Sequence, residues 1–108
     1  MKSKIQSLKS PKDFRNVLNH CKEFSNPVFK IKLVSNKLNK LRYGLAVNKT
    51  NFKKAVTRNK VKRQMRTFIS TLKPLKAIDM IIVVKANYIN NTYQANKKMF
   101  TQLYDTIK

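Results

Sequence analysis

The stretch Asp79-Met80-Ile81-Ile82-Val83-Val84 constrains the fold more than any other part of the chain. After its first residue it is continuously apolar and rich in β-branched side chains, the pattern of a central strand that hides both faces from water. Such a strand needs cover above and below, and the remaining segments are patterned to supply it. Ser10 as N-cap, Pro11 at the first helical position and Asp13 in the first turn predict a helix start, after which Phe14, Val17 and Leu18 share one face. Val28, Lys30 and Lys32 alternate with Phe29, Ile31 and Leu33, predicting a strand whose outer face is cationic. "RYGLAVNK" predicts a second strand, and the polar, Asn-rich "VSNKLNKLR" between the two predicts an antiparallel hairpin.

A second helix is predicted from Arg58 to about Leu72, where Pro74 biases Lys73 away from helical angles. A third is predicted from about Thr92 to Tyr104, with Ala95, Met99 and Leu103 facing inward. The order helix, strands, helix, strand, helix predicts an α+β sandwich, helices packed against one sheet. A chain of 108 residues, 42% apolar, has material for one core, so residues 1–108 are expected to form a single domain.

The second helix raises the functional question. Between Arg58 and Arg66 it carries five positive charges and no negative one, and no Asp or Glu occurs from residue 24 to residue 78. On a wheel of roughly 100° per residue, Val61, Met65, Phe68, Ile69 and Leu72 form an anchoring apolar arc. Arg58, Asn59, Lys62, Arg63 and Arg66 are read as the neighbouring arc. Like charges at i, i+4 positions such as Arg58, Lys62 and Arg66 repel by a few tenths of a kcal/mol per pair, roughly. The chain as a whole has 25 Lys and Arg against four acids, a formal charge of +21. Asp13, Glu23, Asp79 and Asp105 are scattered, which predicts little internal neutralisation. A polyanionic partner relieves this repulsion, and nucleic acid phosphates fit it best.

Other chemistries find little support. Four dispersed carboxylates and one histidine do not provide paired acids for metal-assisted or acid–base hydrolysis. His20 beside Cys21 lacks further ligands at metal-site spacing, so no protein-bound metal and no catalytic residue is expected. A single cysteine and a start without a leading apolar run predict a cytoplasmic protein. The apolar stretch "AIDMIIVVKA" is far shorter than the roughly 20 residues that cross a bilayer, so no membrane partner is expected.

"AVTRNKVKRQMRTFI" resembles the arginine-rich signature helix of the protein subunit of bacterial ribonuclease P. "LKSPKDFRNVLNHCKEF" resembles that family's first helix, "LRYGLAVNK" the strand before the signature, and "DMIIVVKANYINNTYQANKKMFTQLY" its last strand and helix. The resemblance implies a mixed sheet of about four strands with three helices and a left-handed βαβ crossover through the signature helix. It implies an endoribonuclease holoenzyme that removes the 5′ leader from precursor tRNA in tRNA maturation. There the RNA subunit performs catalysis with Mg2+, and the isolated protein is inactive. Its implied partners are ribonuclease P RNA and precursor tRNA with its 5′ leader, the free protein being a monomer. For RNA binding the resemblance points to Arg58, Asn59, Lys60, Lys62, Arg63 and Arg66, with Lys49, Lys53 and Lys54 in the preceding basic loop. For a cleft holding the leader it points to Phe14, Leu18, Phe29 and Lys32, with Leu18 and Lys32 standing where the family carries aromatics. A ribosomal or other structural RNA-binding protein is the nearest alternative, followed by a DNA-binding module and a membrane-surface helix.

Overall fold

The computed structural model describes residues 5–8, 10–36, 40–72 and 77–107. Its elements are β1 (Ile5–Ser7), α1 (Pro11–His20), β2 (Lys22–Ser25), β3 (Phe29–Ser35), β4 (Leu41–Ala46), α2 (Ala55–Ser70), β5 (Ile78–Val84), a 3₁₀ turn (Ala86–Asn90) and α3 (Tyr93–Asp105). The α+β class, the mixed sheet and the three helices stand as expected. The sheet has five strands in the order β1-β4-β5-β3-β2, the fifth being the three-residue β1 at one edge.

β5 takes the centre, parallel to β4 and antiparallel to β3. The predicted hairpin between β3 and β4 is therefore not formed. The two strands run in opposite directions, but β5 lies between them, because the most apolar strand gains most from neighbours on both sides. α2 connects β4 to β5, giving the parallel crossover that the resemblance implied. β2 pairs with β3 through a reversal at Asn26, whose Oδ1 accepts from the amides of Val28 (2.9 Å) and Phe29 (2.7 Å). This is an Asx-type turn, and the dipeptide Asn26-Pro27 is its signal in the sequence. The predicted helix stop at Lys73 and Pro74, and residues 37–39 of the predicted β3–β4 turn, lie outside the described residues.

Period-two alternation divides the sheet between two cores. Phe29, Ile31, Leu33, Leu41, Met80, Ile82 and Val84 face α2 and α3, where they meet Val61, Met65, Phe68, Ile69, Phe100 and Leu103. Ile81, packed with Val17 and Leu8 and flanked by Phe14, Val34, Ala46 and Val83, forms the smaller core under α1. The helix faces follow the same logic. α2 buries Val61, Met65, Phe68 and Ile69 as expected. α3 buries Leu103 as expected, but together with Asn96, Phe100 and Tyr104, while Ala95 is exposed and Met99 half-buried. The aromatic pair Phe100 and Tyr104, one turn apart, sets that face, with Phe100 meeting Phe29 edge-on at 5.4 Å between centroids.

The acids are less idle than their spacing suggested. Arg42 grips Asp79 through Nε to Oδ1 (2.8 Å) and Nη2 to Oδ2 (2.6 Å), while Nη1 donates to Asp13 Oδ2 at 3.0 Å. Asn36 Nδ2 adds a further bond to Asp79 Oδ1 at 2.7 Å. Hydrogen bonding to Asp79, outweighing desolvation, raises the Arg42 pKa above its ordinary value. One arginine thus ties α1 to two central strands, and Glu23 pairs with Lys30 at 3.6 Å.

Tyr88 closes the main core from the 3₁₀ turn, with its hydroxyl donating to Gln64 Oε1 at 2.6 Å. Burial first, and then the neighbouring Tyr93, push its phenol up to about 12. The fold therefore favours the neutral phenol. The stability this contributes is complete below about pH 10, the ordinary tyrosine value, and is lost as pH rises through about 12. An absorbance titration should find a tyrosine ionisation near pH 12, and Tyr88→Phe should remove that step.

Candidate nucleic-acid interface

Residues in register across neighbouring strands share a face, so the pairings sort the side chains that α1 leaves accessible. Gly44 lies beside Ile81, which lies beside Lys32; Ala46 lies beside Val83, which lies beside Lys30. Phe14 rests on this face directly over Gly44. Its ring carbons Cζ and Cε1 stand 2.5 and 2.6 Å from the position that a Cβ on Gly44 would occupy. Any side chain there must displace the ring. The chain's single glycine thus sits inside a strand because an aromatic approaches its backbone.

β1 pairs with β4 only over Leu41, Arg42 and Tyr43, and Leu8 N donates to Tyr43 O at 2.6 Å just beyond. Past that point a cavity of about 240 Å³ opens at the sheet edge. Leu8, Phe14, Gly44 and Leu45 form its apolar side, while Lys62 and Arg66 of α2 form its cationic side. An aromatic from the first helix and two cations from the second, distant in sequence, therefore line one groove.

The other expected residues divide. Asn59, Lys60, Arg63 and Arg66 are exposed on α2, and Lys49, Lys53 and Lys54 are exposed in the segment leading into it. Lys60, however, lines a second cavity on the α3 side of α2 rather than the groove. Arg58 turns back, donating through Nη1 to the carbonyls of Phe52 (2.9 Å) and Lys53 (3.0 Å). At roughly 100° per residue it falls between Met65 and Ile69, inside the apolar arc, which corrects its place in the cationic one. Its guanidinium braces the loop that carries Lys53 and Lys54.

Leu18 is 50% exposed on α1, and Lys32 faces the α1 side from β3. Phe29 does not join them. It is fully buried in the opposite core, against Tyr88 and Phe100, so it is no part of a cleft with Phe14. Period-two alternation already forbids Phe29 and Lys32, three apart on one strand, from sharing a face. The residues missed from sequence are Leu8, Tyr43, Gly44 and Leu45, and a lone mid-strand glycine is the signal that points to them.

The electrostatics of α2 sharpen the picture. Its N-cap Lys54 makes no side-chain cap and its first turn holds no acid. Lys53 and Lys54 therefore crowd the positive end of the helix dipole, each unfavourable by up to about 1 kcal/mol at low ionic strength. Anions bound there offset the repulsion. Among the described residues no three His, Cys, Asp or Glu side chains gather where they could hold a metal ion, and no helix is long and apolar enough to cross a membrane.

A basic α+β scaffold with an aromatic-floored, cation-walled groove beside an acid-free helix has the character of a nucleic-acid-binding protein. A sequence model of the family described as Ribonuclease P matches residues 2–108. The ribonuclease P protein component of Mycoplasma capricolum subsp. capricolum is 32% identical over 111 residues, covering 100% of both chains. That of Mycoplasma genitalium is 29% identical over 106 residues, covering 97% of this chain and 83% of its own. Among solved structures, the RNase P protein of Staphylococcus aureus superposes with a TM-score of 0.84 at 23% identity, covering 94% of each chain. The chain belongs to the ribonuclease P protein family, whose members are protein components of a tRNA-processing endoribonuclease.

Proposed function

We propose that this chain binds the single-stranded 5′ leader of precursor tRNA in the groove between Phe14 and the Lys62–Arg66 edge of α2. In the same reading, Asn59, Lys60 and Arg63, with Lys49, Lys53 and Lys54, meet ribonuclease P RNA. The observation that carries this is the meeting of Phe14, Lys62 and Arg66 around one open cavity. An aromatic face stacks on any unpaired base at about 1–3 kcal/mol, and the flanking cations follow the phosphates. Leaders of varied sequence are thereby accepted. Leu18 and Lys32 extend the surface on the α1 side, supplying apolar contact and charge.

Mg2+ in this reading is held by the phosphates of the RNA subunit, which performs the hydrolysis. The protein's charge reduces repulsion between substrate and RNA and so lowers the magnesium needed for assembly. The free chain is monomeric and works in the cytoplasm. The test is reconstitution: the chain, ribonuclease P RNA and precursor tRNA are mixed at low magnesium, and leader removal is followed. The chain should shift the magnesium optimum downward and bind precursor with a leader more tightly than mature tRNA. An unchanged optimum, or equal affinity for the two RNAs, would sink the reading and favour a structural RNA-binding role.

A further inference from the structure

Gly44 carries a cost that its own backbone does not explain. A glycine inside a strand loses more conformational freedom on folding than other residues and adds no side chain to the sheet, so it needs a local reason. One such reason, a positive φ, is absent: among the described residues only Ala77 has one, at 61°. Gly44 is paired as ordinary parallel strand, in register with Ile81 of β5. The three heavy atoms nearest to its missing Cβ all belong to Phe14: Cζ, Cε1 and, at 3.6 Å, Cε2. The tip of one aromatic ring is what the glycine makes room for.

Packing alone does not require that arrangement. Phe14 is half-buried at the margin of the smaller core, whose buried members are Leu8, Val17 and Ile81. With alanine at position 44 the strand would be stronger, and the far end of the ring could rotate about χ1 into the open cavity beside it. Those three residues would stay covered, but the displaced ring would stand inside the groove instead of forming its floor.

The other end of Phe14 is fixed as well. Asp13, the residue before it, accepts from Arg42 Nη1 at 3.0 Å. Arg42 stands two positions before Gly44 on β4, hence on the same face of the sheet, and its fork on the buried Asp79 holds it there. Consecutive residues of α1 thus dock on successive same-face positions of one strand, beside Lys62 and Arg66. A side chain immobilised before binding has little rotamer freedom left to lose when a base stacks on it. We propose that Gly44 is a positioning residue for the leader: by admitting the tip of Phe14 it sets the stacking face in the free protein and keeps the groove open. This rests on the leader-binding reading above and adds that the stacking surface is formed before RNA arrives.

The test uses the full chain reconstituted with ribonuclease P RNA, and compares its affinities for precursor tRNA with a leader and for mature tRNA at several salt concentrations. Gly44→Ala should lower the preference for precursor by about two- to tenfold, the range of one side chain that must now be ordered on binding. The salt slope of that preference should not change, and the urea midpoint of the variant should be no lower than that of the parent. In a Phe14→Leu background, which lacks the ring tip, Gly44→Ala should have no further effect. A clearly lower midpoint would overturn the proposal, because the glycine then serves packing, and additive effects would overturn it, because Gly44 then acts without Phe14. The parent chain supplies a measurement that needs no variant. Free of RNA, it should show a nuclear Overhauser contact between the Phe14 ring tip and the Gly44 α-protons, unchanged when oligouridine is added; a contact that arises only with RNA would overturn a pre-formed surface. If Phe14→Leu lowers the preference for precursor and Gly44→Ala does not, the positioning role alone falls. If Phe14→Leu also leaves it untouched, the leader groove falls with it.

Discussion

Arg42→Met is expected to lower the stability of the fold by about 3–5 kcal/mol. Asp79 is 2% exposed and accepts both fork bonds of Arg42, so removing the guanidinium leaves a carboxylate in the sheet without its counter-charge. Asn36 still donates to Asp79, but one neutral amide does not replace a bidentate cation. Against a typical total of about 5–15 kcal/mol, this loss is a large fraction. Urea unfolding followed by circular dichroism reads it as a lower midpoint with an unchanged slope. Two companions isolate the cause. Asp13→Asn removes only a half-exposed pairing with Arg42 and should cost under about 1 kcal/mol. Arg42→Met combined with Asp79→Leu leaves no buried charge and should recover much of the loss. If Arg42→Met unfolds at the wild-type midpoint, the network does not hold α1 to the sheet, and the position of Phe14 needs another cause.

How far the sequence announced this fold depends on the range over which each signal acts. β5 was legible because a continuous apolar run has one physical solution, burial on both faces. α2 was legible because its apolar and cationic arcs repeat over four turns, as the buried set Val61, Met65, Phe68 and Ile69 bears out. The β3–β4 hairpin failed because turn residues report only on sequence neighbours, whereas β5 arrives later in the chain and takes the slot between them. β1 and β2 escaped notice because strands of three and four residues at the sheet edges carry too little periodicity. On α3, Asn96 hides the apolar repeat that Phe100, Leu103 and Tyr104 continue, so Ala95 and Met99 looked like the better face.

The candidate site was half legible for a related reason. Charge is additive along a chain, so the basic character of α2 survives any detail of packing. Which cations face outward is decided by rotation about the helix axis, and that rotation turns Arg58 toward the loop and divides Lys60 from Lys62. The groove itself is a long-range product. It needs α1 fixed by Arg42, Phe14 seated on Gly44, and β1 ending early enough to leave the β4 edge open. None of these contacts is encoded within a single segment, although the solitary glycine marks where they converge.

The second large effect is expected on RNA binding. Replacing both Lys62 and Arg66 with alanine removes the cationic wall of the groove while sparing Val61, Met65 and Phe68, which anchor the helix. Two exposed contacts to phosphate, at up to about 1 kcal/mol each, weaken binding of a single-stranded leader by up to about thirtyfold at low salt. The more telling quantity is the salt dependence. Each phosphate contact on a single strand contributes about −0.7 to the slope of log affinity against log salt, so the double variant should be shallower by about 1.4. Arg58→Ala, by contrast, should leave the slope unchanged, because its guanidinium is engaged by the carbonyls of Phe52 and Lys53. It should instead loosen the loop ahead of α2, seen as faster amide exchange there. Phe14→Leu completes the set. It keeps the helix packed over Gly44 but removes the stacking face, lowering affinity by about 1–3 kcal/mol at every salt concentration without altering the slope. A variant pattern in which Phe14 changes the slope, or Lys62 and Arg66 leave it untouched, would move the leader off this edge of the sheet.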